Sequence, residues 1–227
     1  MDQIIKVFMT PNKIIRSKRK TISITINEDA ELVVRAPKKL SIEKIQDFIY
    51  EKEKWINKKK KLIENQTKDA LLNQNKLLYL GSLFPITLNQ TSSKKLVFSG
   101  EEFISNSNNP ETLSLSIKKW YKNQFKEIAI PRLEYFADKY NLSVNQIRIK
   151  EQKTMWGSCS SKNNINLNYL LIMAPMDVID YVIIHELVHT IHRNHSVNFW
   201  KSVESIMPNF KEAKRWLKEN GYKLRRL

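Results

Sequence analysis

His185-Glu-Leu-Val-His-Thr-Ile-His-Arg-Asn-His195 holds all four histidines of the 227-residue chain. The seven residues before it, Val178-Ile-Asp-Tyr-Val-Ile-Ile184, read as a buried helix, so the motif H-E-x-x-H sits on a helical segment. At about 3.6 residues per turn, His185 and His189 stack on one face, roughly 6 Å apart along the axis, and can hold one metal ion between them. Glu186 lies about 100° round the same helix, where its carboxylate reaches a water on the metal without becoming a ligand.

A catalytic zinc takes three protein ligands and keeps one position open. His192 continues the His185 face but lies about 10 Å up the axis, so three such side chains on one straight helix cannot converge tetrahedrally. His195 can converge only if the helix stops near His192 and the chain turns back. Asn194 suits such a turn because Asn enters the left-handed conformation, and Ser196 is placed to cap the next helix. The expected metal ligands are therefore His185, His189 and His195, with Glu186 as general base and His192 as a neighbour of the site. Cys159 reads as a small buried residue before it reads as a ligand.

The remainder of the composition bounds the class. With 41% apolar residues the chain can bury a proper core. One cysteine excludes an intramolecular disulfide framework and fits a reducing compartment. The first nine residues lack signal-peptide character and no apolar run approaches spanning length, so the expected location is cytoplasmic, away from membranes. The net charge of +16 suits nucleic acid, nucleotides or other anionic partners. It suits equally well a surface covered with solvated lysines.

Strand patterns fall at Ile4–Met9, Thr21–Ile26 and Glu31–Arg35, the last two as a hairpin. Ser41 then caps a helix with Ile45, Ile49, Trp55, Ile56 and Ile63 on its apolar side. Short strands follow over 77–88, 95–98 and 102–104. The Ser/Asn run at 105–110 is the expected domain boundary, giving a β-rich part over 1–109 with one long helix and a hydrolase domain over 110–227. A long helix over 113–140 carries Pro131, where a kink or restart is expected. Alternating strands at 147–150 and 165–169 flank a loop with Trp156-Gly-Ser-Cys-Ser160. A strand just before the metal helix offers an edge for an extended peptide, with Asn166 and Asn168 along it. Two closing helices start at Ser196 and after Pro208, the second ending at Gly221.

Trp156-Gly-Ser-Cys-Ser-Ser-Lys162, Asn166-Leu-Asn168, Ala174-Pro175, Asp180-Tyr-Val182, His185-Glu-Leu-Val-His189 and Asn194-His-Ser-x-x-Phe-Trp200, together with Arg35-Ala-Pro37, Tyr79-Leu-Gly81 and Trp120-Tyr121, resemble the YgjP-like (DUF45) metallopeptidase family, related to SprT-like and M48-type zincins. The resemblance covers nearly the whole chain. It implies an α+β fold with a minimal zincin-like metal-dependent hydrolase domain, Zn²⁺ on three histidines, and cleavage of peptide or unfolded-protein substrates. Met155 stands where the pattern has a basic residue, and Asn163-Asn164 replaces a glycine-containing turn. Two other classes fit parts of the same residues: a metal-dependent nucleoside triphosphate phosphohydrolase, and a nucleic-acid-associated protein, or a protease acting on nucleic-acid-bound proteins.

Overall fold

The computed structural model describes residues 9–27, 30–68, 75–90 and 95–225. The chain divides into two compact units, Met1–Asp69 and Ala70–Leu227. The strand expected over Ile4–Met9 lies, apart from Met9, outside the described residues.

In the first unit, β1 (Lys13–Ser17) pairs in parallel with β3 (Leu32–Pro37), and β2 (Ser23–Ile26) pairs with β3 antiparallel as the hairpin pattern requires. Leu32, Val34 and Ala36 alternate inward from β3 and meet Ile45, Ile49, Ile56 and Ile63. The Ser41 hydroxyl accepts from Lys44 N to cap α1 (Ile42–Glu51). The single helix expected here is broken at Lys52, where φ is −101° and ψ is 6°, and resumes as α2 (Glu53–Lys68). Ile49, Ile56 and Ile63, seven residues apart, stay inside, whereas Trp55 faces outward and is 48% exposed.

The second unit begins with a four-stranded sheet in the order β4 (Lys76–Tyr79), β5 (Ser82–Leu88), β7 (Phe103–Ser105), β6 (Leu96–Phe98). Its inner face is aromatic: Tyr79, Phe98 and Phe103 each lie within 6.1 Å, ring to ring, of Trp120 on α3 (Pro110–Lys139), and Phe84 packs against these three rings at 6.3, 4.8 and 6.4 Å. The Tyr121 hydroxyl donates to Leu78 O at 2.6 Å. This packing moves the boundary. The units part near residue 69, not at the Ser/Asn run over 105–110, because those strands bury their aromatics against α3.

Helix α3 runs unbroken through Pro131, with Asn109 capping it and Pro110 at its first turn. Next comes a three-stranded sheet in the order β8 (Gln146–Lys150), β10 (Asn164–Asn168), β9 (Gly157–Cys159). β8 and β10 are parallel, and β9, hidden in what the sequence offers as a loop, runs antiparallel along β10. A 3₁₀ turn (Tyr169–Met173), buried throughout, leads into α4 (Met176–Val188). α4 buries nine of its 13 residues, Val178, Ile179, Tyr181–Ile184 and Glu186–Val188, as a central helix must. Gly81, at φ +82°, belongs to the β4–β5 turn docked on it: its N–H donates to Met173 O, and a side chain there would meet Pro175 Cγ at 2.8 Å. α5 (Val197–Ile206) and α6 (Phe210–Leu224) close the unit. α6 does not end at Gly221. That glycine lies inside the last turn of the helix, where a Cβ would stand 3.0 Å from Trp156 Cζ2.

Candidate metal centre

Helix α4 carries His185 and Glu186 in its last turn, and His189 is the residue that caps it. The helix then unwinds through Thr190, Ile191 and His192, whose N–H groups bond to Leu187 O, Val188 O and Val188 O. The exit does not use a left-handed Asn194; positive φ angles occur elsewhere, at Ala30, Asn75, Leu80, Asn141 and Asn163. Ser196 caps α5 as expected, its hydroxyl accepting from Phe199 N. The turn therefore closes on successive 3₁₀-type bonds and a side-chain cap, and it returns His195 to the two helical histidines.

One nitrogen from each of His185, His189 and His195 lies within 4.8 Å of the others. His185 Nε2 and His195 Nε2 are 3.0 Å apart. Two nitrogens bound at about 2.0–2.1 Å to a tetrahedral ion stand roughly 3.3 Å apart, so the spacing fits a shared cation. His189 Nδ1 bonds to His192 O at 2.9 Å, which leaves Nε2 free to bind the ion. His192 contributes that carbonyl and not its ring, which is 3.2 Å from Ser202 Oγ through Nε2. His185 Nδ1 is buried without a hydrogen-bond partner. Burial, then the neighbouring His189, His195 and Lys214, lower the His185 proton affinity to a pKa of about 3, so the ring is neutral and ready to bind metal. Burial lowers His189 as well.

Apolar rings hold the three imidazoles from behind. The Phe199 ring centre is 4.9, 4.5 and 4.8 Å from those of His185, His189 and His195. Trp200 stacks on His195 at 5.7 Å and 23° and is itself stacked by Phe210 at 5.5 Å. These are the aromatics whose helical spacing in the sequence marks them as core.

Glu186 is 5% exposed, and burial raises its carboxyl in the metal-free site to about 8. It faces β9. A Cβ at Gly157 would come within 2.6 Å of Glu186 Cγ and Oε1 and 2.8 Å of Cδ. Gly157 is a site residue that the sequence reading passed over, although it stands in the quoted Trp-Gly-Ser-Cys run.

Three ties fix the segment around β9. Asn168, fully buried, donates to Gln152 O at 2.7 Å and Met155 O at 3.1 Å and accepts from Leu170 N. It is a clamp and not part of a substrate edge. Asn166 Nδ2 donates to Ser158 Oγ at 2.9 Å. Arg193 donates to Ser160 O at 2.8 Å, Ser161 O at 3.2 Å and Asn163 Oδ1 at 2.5 Å, which commits its guanidinium to this turn. Asn163 takes φ +57°, the left-handed conformation that a glycine would otherwise supply. On α4, one turn before His185, Asp180 forms a two-point pair with Arg132 of α3.

Three imidazoles converging on one point beside a carboxyl kept out of water give a protein the means to hold a divalent ion and hydrolyse a bond with it, and the class so defined is the metal-dependent hydrolase. The family follows from the whole chain. Residues 20–220 match the YgjP-like, metallopeptidase domain, so the chain belongs to the YgjP-like metallopeptidase family. No curated protein matches it. Among solved structures it is similar to the metallopeptidase zymogen of Pyrococcus abyssi abylysin, at 26% identity and a TM-score of 0.37 over 40% of this chain and 94% of that one. It is similar also to the metallopeptidase zymogen of Methanocaldococcus jannaschii jannalysin, at 20% identity and 0.37 over 40% and 95%. No helix among the described residues is long and apolar enough to cross a membrane.

Proposed function

We propose that the protein is a zinc-dependent peptidase in which His185, His189 and His195 hold the ion and Glu186 is the general base. The observation that carries this reading is the cluster of three ring nitrogens within 4.8 Å, with the buried Glu186 next to His185 on the same helix. Three neutral nitrogen donors suit zinc better than the oxygen-seeking Mg²⁺ or Ca²⁺. A zinc ion so held supplies Lewis acidity toward water and toward the scissile carbonyl. Glu186 accepts a proton from the attacking water and delivers it to the leaving amine. Gly157, lacking a side chain, leaves room for that carboxylate. His192 O holds the His189 ring in the tautomer that turns Nε2 toward the ion.

The edge available to a peptide backbone is β9, the outer strand of its sheet and a neighbour of α4, not β10, which is central. In this proposal an extended substrate adds to Gly157-Ser158-Cys159, with Ser158 steadied by Asn166.

Metal content of the purified protein by mass spectrometry, with hydrolysis of unfolded protein and of nucleoside triphosphates by wild type and Glu186→Gln, tests the reading. About one zinc per chain with Glu186-dependent peptide cleavage supports it. Cleavage of nucleotides alone transfers the same metal centre to a phosphohydrolase, and no metal uptake on titration refutes it.

A further inference from the structure

The first unit has a sheet face that the metal centre does not use. Ile24, Leu32, Val34 and Ala36 point to the side on which Ile45, Ile49, Ile56 and Ile63 of α1 and α2 pack. Alternation sends their neighbours the opposite way: Lys13 and Ile15 on β1, Val33 and Arg35 on β3, Ser23 and Thr25 on β2. Lys13, Thr25 and Arg35 are exposed, and Arg35 belongs to the Arg35-Ala-Pro37 run that neither core nor metal centre employs.

More cations gather at one end of this sheet. β1 and β3 are parallel, so Lys18-Arg19-Lys20 after β1 and Lys38-Lys39 after β3 leave at the same end, where Lys38 N donates to Ser17 O at 3.1 Å. The Arg19 guanidinium reaches back to β2 and donates to Ser23 Oγ at 2.9 Å. Ser23 lies directly opposite Arg35, which brings two guanidinium-bearing side chains to one row of neighbouring strands. Residues so paired have Cβ atoms about 5 Å apart, and like charges there repel. No acid offsets them in the strands or the basic turns, because neither 3–27 nor 32–42 contains Asp or Glu. Among the described residues Lys13, Arg19 and Arg35 form no ion pair. An anion lying across the strands relieves this repulsion, and guanidinium groups flanked by lysines and hydroxyls match phosphate oxygens.

We infer that this face of the β1–β3–β2 sheet binds the phosphate backbone of a single nucleic-acid strand without reading its sequence. A backbone with a charge at every nucleotide meets the row of Arg19 and Arg35 and then the lysines at the end of the sheet, whereas the scattered carboxylates of an acidic peptide would meet only part of the set. The outward positions of the three strands carry no aromatic ring, so no base is selected by stacking there. A membrane surface fits less well, because the apolar residues of the face, Ile15 and Val33, are half-buried between their neighbours and offer no apolar anchor to enter a bilayer.

Fluorescence anisotropy of the full-length protein with labelled single-stranded DNA and RNA of mixed sequence, about 16 nucleotides long, tests this. Both bind, and log affinity falls against log salt with a slope of about −3, as for about four phosphate contacts on a single strand. Arg19→Gln with Arg35→Gln weakens binding about tenfold and makes the slope shallower by about 1.4. Because Arg19 also bonds to Ser23 and Thr21, Arg35→Gln alone is the second variant: its circular dichroism and unfolding midpoint match wild type while the slope falls by about 0.7. Lys201→Gln with Lys218→Gln removes the same charge from exposed positions of α5 and α6 and changes affinity by less than about twofold. A chelator leaves binding unchanged, which keeps the result separate from that of the peptidase reading. Absence of binding at low salt, an equal loss in the Lys201 and Lys218 control, or binding that needs the metal overturns the inference. Displacement of the strand by polyglutamate of equal charge at lower concentration overturns it in favour of an acidic peptide. Attachment to vesicles containing phosphatidylserine that Arg35→Gln abolishes, with oligonucleotide binding untouched, overturns it in favour of a membrane.

Discussion

Replacing Gly157 with alanine tests whether the edge strand and Glu186, the proposed general base, are built against each other. The added methyl would lie 2.6 Å from Glu186 Cγ and Oε1 and 2.8 Å from Cδ. Carbon atoms in comfortable contact are about 3.5–4.0 Å apart, so the carboxylate must retreat by about 1 Å. The atoms that yield are the end of a side chain and not backbone, so the fold loses only about 1 kcal/mol, the low end of the cost of overpacking. Activity has no such margin: misplacing a reacting group by about 1 Å costs on the order of 100-fold. The histidines are untouched. The expected Gly157→Ala protein is folded, carries its full complement of metal and has kcat/KM for a peptide substrate lowered about 100-fold, mainly through kcat. Metal content by mass spectrometry, unfolding by guanidinium and steady-state hydrolysis together check this. Wild-type activity, or a loss of activity that tracks loss of metal, would refute the opposition of Gly157 and Glu186 as the reason for the glycine.

His195→Ala is expected to lose metal affinity by more than tenfold and His192→Ala to retain it within a few-fold, because the His192 ring is engaged with Ser202 and its carbonyl, which orients His189, survives the substitution; unchanged metal content in His195→Ala would move the third ligand. In metal-free protein the Glu186 carboxyl is raised by burial from 4.5 to about 8, so the stability it contributes is fully present below about pH 4.5 and lost as the pH rises through 8. Glu186→Gln removes that loss: chelator-treated mutant and wild type should differ little at pH 5, and the mutant should be the more stable at pH 9, by at most roughly 5 kcal/mol, while a pH-independent difference in denaturant midpoints would count against the burial of an ionisable Glu186. Arg193→Ala should keep metal, because the guanidinium bonds only to the turn over 159–163, yet speed amide exchange there and lower kcat/KM about tenfold; unchanged exchange protection would show that the turn does not depend on it.

What the sequence made legible is the part governed by short-range rules. Helical spacing pairs His185 with His189, Ser196 announces a new helix, and impossible convergence on a straight helix rejects His192. The β2–β3 hairpin and the β4–β5 turn at Gly81 were legible for the same reason: alternation and turn residues are local signals. The exceptions depend on distant partners. β9 has three residues, too few for any pattern, and exists because β10 pairs with it. Gly221 looks like a stop until Trp156, 65 positions earlier in the chain, is seen packed against it. Pro131 suggests a break, but α3 continues through it, with Leu133 and Ala137 buried beyond and Arg132 paired to Asp180. The Ser/Asn run reads as a linker because its own residues cannot form core, although the strands before it pack their aromatics on the helix after it.

The segment from Gln152 to Asn163 is held from directions unrelated to each other in sequence, and this bears on what the Trp-Gly-Ser-Cys run is for. Asn168 clamps its start, and Arg225, reaching Lys153 O with its guanidinium 4.6 Å over the Trp156 ring, braces that start from the far end of the chain. Arg193 holds its end from the very turn that delivers His195. An edge strand of three residues could not hold its own place to a few tenths of an ångström by backbone pairing alone, yet the contact between Gly157 and Glu186 requires that tolerance. The polar ties supply it. Because Arg193 lies two residues before His195, the same turn that brings His195 to His185 and His189 also locks the strand facing Glu186. The Arg193 guanidinium bonds to the strand side of that turn and to none of the three histidines, so its removal loosens the strand facing Glu186 and leaves the ligands in place, which makes Arg193 the residue at which metal affinity and peptide turnover can be separated experimentally.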